Sequence, residues 1–134
     1  MTDINHEVIE QVLIKVFDYT NIHYGDNGNW YAATKESAQH RFYMGKCNDW
    51  NFGGLVVERM RWLAFVLVLE EKPIVGGKST WGASFHETDG VNVYTTNHFD
   101  ASEETAPLAI CKAALKAING NMLTYKEAKY LIIE

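Results

Sequence analysis

Five histidines, His6, His23, His40, His86 and His98, are the side chains best suited to metal or acid–base chemistry. Their spacing argues against a metal: none lies three or four positions from another histidine, an acid pair or a cysteine in the pattern of a zinc face. No metal and no cofactor is therefore expected. His86-Glu87 beside Asp89, and His98 near Asp100, fall where one end of a hairpin would gather them. A histidine next to a carboxylate is what general acid–base catalysis uses. Solvated turn residues explain the same letters, since sheet ends collect them. With no nucleophile–base pair in the spacing, the chain reads as a non-enzyme without catalytic residues, an enzyme built on His86 and Asp89 being the minority reading.

Two further motifs dissolve on inspection. Val75-Gly-Gly-Lys-Ser-Thr80 ends like a phosphate-binding loop, but Lys72 stands where the loop's first glycine belongs, and a strand pattern follows instead of a helix N-terminus. Asp26-Asn-Gly-Asn29 has calcium-like ligand types without the spaced carboxylates of a binding loop, so a plain turn suffices.

The aromatics are distributed unevenly. Eight of the seventeen fall between Tyr19 and Gly54, interleaved with Asn and Gly. Rigid amphipathic rings with adaptable polar neighbours are what recognition surfaces use, because they bury large area at small rotamer cost. Trp30, Tyr31, Arg41, Tyr43, Trp50 and Phe52 are the candidate partner- or ligand-binding residues. The alternative is that half of these rings fill space beneath long loops. Arg41, Arg59 and Arg61 offer forks for a carboxylate or phosphate, or pair with Glu58 and Glu70.

These residues must be held by elements legible in the pattern. From Asp3 to Phe17 apolar residues recur at three and four, an amphipathic helix. The stretch after Tyr19 is rich in turn formers and leads to a short strand around Trp30. Lys35–Met44 suits a short helix or an extended segment, and a second loop runs through Gly45–Gly54. Trp62–Leu69 is apolar at every position, so it reads as a strand covered on both faces. Thr80–His86 and Val91–Thr95 form a hairpin across Thr88-Asp89-Gly90. Glu104–Gly120 is a helix with Thr105 as cap, Pro107 in the first turn, Leu108, Cys111, Leu115 and Ile118 as the apolar stripe, and Asn119-Gly120 as the stop. Lys112 and Lys116 sit on its solvated side. Thr124-Tyr-Lys-Glu127 opens a short last helix. The expected fold class is α+β: a single antiparallel sheet of three to five strands sandwiched between the N-terminal and C-terminal helices, an α/β/α sandwich.

Size and charge narrow the partners. A chain of 134 residues, 47% hydrophobic, makes one domain, 1–134, with the aromatic loop-rich segment 19–54 inside it. Seventeen acids against twelve bases leave a net charge of -5, which disfavours non-specific nucleic-acid binding and a polybasic membrane anchor. The longest apolar run has eight residues, far below the ~20 needed to span a bilayer. The first ten residues carry acids where a signal peptide needs a basic start, and Cys47 and Cys111 read as reduced thiols, so a cytoplasmic protein is expected.

The segment Ala101–Ala117, ASEETAPLAICKAALKA, resembles the signature of the phage ABA sandwich domain family, small phage and prophage proteins whose members carry a Thr-Ala-Pro-Leu-Ala-Ile-Cys-Arg-Ala-Ala-Leu run. Lys112 stands where Arg is common, and Asp3–Phe17 is similar to the family's first helix. The resemblance covers about one-eighth of the chain and implies an α/β/α sandwich of phage origin, with no activity or catalytic residue to carry over. The expected function is then that of an accessory protein in the bacterial host cell, binding and inhibiting a host or bacterial-defence component, with anti-CRISPR action as one form. The second reading is a homo-oligomeric sponge that sequesters a signalling nucleotide between aromatic walls and arginines.

Overall fold

The structure, a computed structural model, describes residues 6–73 and 79–133, of which 73, 94–97 and 120–133 are described as backbone. The glycine–lysine motif of residues 75–78 and the start of the first helix lie outside the described residues. Helix α1, His6–Gln11, runs on as a π-helical turn, Val12–Val16. Then come β1 Thr20–Tyr24, β2 Trp30–Ala33, β3 Phe42–Gly45, helix α2 Trp50–Trp62, β4 Phe65–Pro73, β5 Ser79–Thr88, β6 Val93–Glu103 and helix α3 Ala106–Ile133. The chain is α+β, as the pattern predicts, but its strands divide into two antiparallel three-stranded sheets, β1-β2-β3 (sheet A) and β4-β5-β6 (sheet B).

Helix α3 is the hub. Thr105 caps it as expected: its hydroxyl oxygen accepts the Leu108 N–H at 3.4 Å and its carbonyl accepts the Ala109 N–H. Every residue from Ala106 to Cys111 is buried, as are Ala113, Ala114 and Ala117. A single apolar stripe would not need that. Alanine around the circumference lets neighbours approach from several sides, and α3 is packed by β5 and β6 on one side and by α2, α1 and the π turn elsewhere. The two lysines stay structural: Lys112 Nζ donates to Glu103 Oε1 at 2.6 Å and Lys116 Nζ to the Asp100 carbonyl at 2.7 Å. The helix does not stop at Asn119-Gly120, nor does a new one open at Thr124. It continues to Ile133, because glycine permits a left-handed stop without compelling one and inside a helix costs only ~1 kcal/mol.

Helix α2 replaces the end of an expected loop and the start of an expected strand. Asp49 caps it, Oδ1 accepting the Phe52 N–H at 3.1 Å, and Phe52, Val56 and Met60 form its buried stripe at intervals of four. Trp62, 82% exposed, therefore ends a helix and does not enter the sheet. Arg59 closes the packing by donating from Nε to the Val16 carbonyl at 3.0 Å, with its guanidinium over the Trp62 ring.

Sheet B covers one face only. Phe65, Ala83 and Phe85 are buried, with Ala101 beside them, on the side that meets α3. Val68 on the opposite face is 52% exposed. The expectation of cover above and below the apolar strand is corrected: with Trp50–Trp62 helical, α1 and α2 pack on α3 and leave the outer face open. The β5–β6 hairpin forms where expected, its turn held by Asp89 Oδ1, which accepts the Val91 and Asn92 N–H groups, and by Gly90 at φ 93°. No helix among the described residues is long and apolar enough to cross a membrane.

Candidate functional site

Sheet A is built by two short connections. Asp26–Asn29 makes a tight turn between β1 and β2, with the Gly25 N–H donated to the Asn29 carbonyl at 2.8 Å and Gly28 at φ 83°. The alternation of β2 then separates neighbours in sequence. Trp30 points inward and is 3% exposed, covered by Tyr24 and His6, whereas Tyr31 points outward. Register places His23 opposite Tyr31 and Tyr31 opposite Tyr43. Their rings form a row across three strands, with centroids 6.1 Å and 5.9 Å apart. Tyr43 is 64% exposed, and its hydroxyl donates to Asn29 Oδ1 at 3.3 Å.

Arg41 ends this row. Its Nε donates to the Asn21 carbonyl at 3.0 Å and its Nη2 to Asn21 Oδ1 at 2.7 Å. Asn21 can offer both oxygens together because its backbone is left-handed, φ 53°, and its amide is anchored by Nδ2 donating to the Ala38 carbonyl at 2.8 Å. His23, Asp26, Tyr31 and Arg41 line a wide-open depression of about 510 Å³. Tyr43, Lys46, Asp49 and Leu55 line a second depression of about 390 Å³.

Of the six candidate residues, the structure brings Tyr31, Arg41 and Tyr43 together on this face. Phe52 is 2% exposed and joins Trp30 in the core, so neither can touch a partner unless the fold opens. Trp50 is 56% exposed but sits at the start of α2, edge-on to Trp81 of β5 with centroids 5.8 Å apart, and lines neither depression. The sequence reading missed His23, which β1–β2 register would have paired with Tyr31, and Asn21, whose role depends on a backbone angle that no local pattern announces.

The outer face of sheet B carries the other cluster. Ser84 is opposite Asp100 and His86 opposite His98. Ser84 Oγ donates to Asp100 Oδ1, and His98 Nδ1 lies 3.0 Å from the same oxygen. His86 Nε2 is 3.0 Å from Ser84 Oγ, and the two imidazoles stack with centroids 5.3 Å apart. The hydrogen bonds from Ser84 and then His98 hold the Asp100 carboxyl below the usual carboxylate range. A hydroxyl has one proton, and here the carboxylate takes it. In this arrangement Ser84 Oγ is left to accept from His86 Nε2 in the tautomer that carries the proton there. The sequence placed His86, His98 and Asp100 near one another but grouped Asp89 with them; Asp89 instead serves the turn. Among the described residues no group of three or more His, Cys, Asp or Glu side chains is placed to hold a metal ion.

Burial pushes the Cys47 thiol up to about 12, helped by Asp49, and the Cys111 thiol up to about 12, helped by Cys47. Both are buried and free, hence inert as nucleophiles. No protein-family model matches the chain, and neither a curated protein nor a solved structure matches it significantly.

Proposed function

We propose that this protein is a non-enzymatic binding module whose recognition surface is the outer face of sheet A. The observation that carries this reading is the row His23–Tyr31–Tyr43 ending in an arginine fixed by Asn21. Preformed rings lose little entropy on binding, and a guanidinium already held in place loses less than a free one. The depression under the row is open, which favours a macromolecular partner over an engulfed small ligand; a nucleotide sponge needs walls supplied by a second subunit.

The resemblance of Ala101–Ala117 to the phage ABA sandwich domain directs the choice of partner: a host or bacterial-defence protein, inhibited by being bound in the cytoplasm of the bacterial host. Affinity capture from bacterial lysate tests the reading, using wild type, the double variant Arg41→Gln/Tyr43→Ala and the sheet B variant Val68→Lys. A protein enriched by wild type and Val68→Lys, and lost from the double variant, is expected. Absence of any enriched protein, or loss only with Val68→Lys, contradicts it.

A further inference from the structure

We infer that the partner presents to this face a protein segment in which an acidic residue directly adjoins an aromatic one, the carboxylate meeting Arg41 and the ring meeting Tyr31 and Tyr43. The inference rests on the recognition reading of sheet A and specifies its ligand.

The argument begins with the donors of Arg41. A guanidinium carries five N–H donors. Asn21 takes the one on Nε and one of the two on Nη2. Three remain, and two of them, one on Nη1 and the second on Nη2, form the end-on edge, parallel donors in the geometry that binds a carboxylate bidentately. The hydrogen-bond partners of Arg41 are neutral oxygens of Asn21, and among the described residues no carboxylate forms an ion pair with it. Asn21 thus orients the guanidinium while leaving its positive charge for a ligand.

The ring requirement follows from what borders that edge. Tyr31 lines the same depression as Arg41, and the Tyr43 ring lies 5.9 Å from that of Tyr31, tilted by 66°. A third ring set against this pair would meet tilted aromatic neighbours at the separations such pairs favour, 4.5–7 Å for ring centroids in general. Asp26, on the rim of the same depression, repels an anion and so confines the ligand's carboxylate to the Arg41 end. A depression of about 510 Å³ accommodates two adjacent side chains. The chain's charge of -5 opposes a polyanionic nucleic acid strand more than a peptide bearing one carboxylate at this point.

Amide chemical-shift titration of the intact protein with acetyl-Asp-Tyr-amide, acetyl-Asn-Tyr-amide and AMP tests this. The acidic dipeptide is expected to shift the amides of residues 23–31 and 41–43 and to bind about tenfold more tightly than its neutral twin, the difference one charge-assisted bidentate pair makes. Arg41→Gln should erase that difference, Arg41→Lys should restore part of it, and Tyr43→Ala should weaken both peptides. Equal affinity of the two peptides overturns the acidic specificity while leaving the face a binding surface. Tighter binding of AMP than of the acidic peptide overturns the peptide assignment. If none of the three probes shifts these amides, both the ligand and the recognition reading of sheet A fail.

Discussion

Arg41 is held by Asn21 through two bonds at once, Nε to the carbonyl at 3.0 Å and Nη2 to Oδ1 at 2.7 Å, across twenty positions of sequence. The clamp needs both the Asn side chain and its left-handed backbone at φ 53°. Two substitutions separate these requirements. Asn21→Gly keeps the backbone angle and loses the Oδ1 bond, so it should weaken partner capture with a stability cost of about 1 kcal/mol or less. Asn21→Ala loses the same bond and strains the backbone as well, so its denaturation midpoint should fall further. Urea titration beside affinity capture reads both.

Core and surface rings should part company in stability. Trp30→Ala should cost about 3–5 kcal/mol, because a buried aromatic leaves a cavity, whereas Tyr43→Ala at an exposed position should stay within about 0.5 kcal/mol. Chemical denaturation of the two variants checks it, and comparable losses would place Tyr43 inside the fold.

How far these residues were legible depended on whether the signal was local. The cap of α3 and the β5–β6 turn rest on neighbours in sequence, and both form as read. Helix α2 was hidden although its stripe, Phe52, Val56 and Met60, is in plain view. Gly53-Gly54 reads as a loop, and Trp62–Leu69 is apolar at every position, so it carries no period to mark where helix gives way to strand. Trp30 and Tyr31 show the limit for the site: adjacent aromatics of similar chemistry take opposite roles because strand alternation sends them to opposite faces, and which face is outer depends on the π turn packed against β1. Arg41 was recognisable by type, and its orientation by Asn21 was not.

Gly54 offers a stabilising change. A Cβ placed there would meet nothing within 4 Å, and its φ is not in the left-handed region. Gly54→Ala in the first turns of α2 should raise stability by about 0.5–1 kcal/mol through helix propensity alone. A thermal denaturation midpoint unchanged or lowered would show that α2 is not helical at this position.

Two pH regimes follow from the shifted groups. The carboxyl of Asp100 is lowered in the folded state by Ser84 and His98, so its stabilising contribution is present above its ordinary value of 3.8 and is lost as pH falls through the lower folded value. Asp100→Asn should therefore flatten the fall in stability between neutral pH and about pH 3. The two cysteines act at the other extreme. Their folded values near 12 exceed the ordinary 9.0, so ionisation of the unfolded thiols should erode stability progressively as pH rises above that value. At mildly alkaline pH iodoacetamide should leave both thiols unmodified in the folded protein and alkylate both in urea; mass spectrometry of the native sample showing a modified Cys47 would contradict its burial.

The recognition role of sheet A is tested most directly by amide hydrogen exchange of the captured complex against the free protein. New protection should appear in residues 20–33 and 41–45 and leave the outer face of sheet B, around Val68, Ser84 and Asp100, unchanged. Protection confined to sheet B with sheet A unaltered would contradict the account.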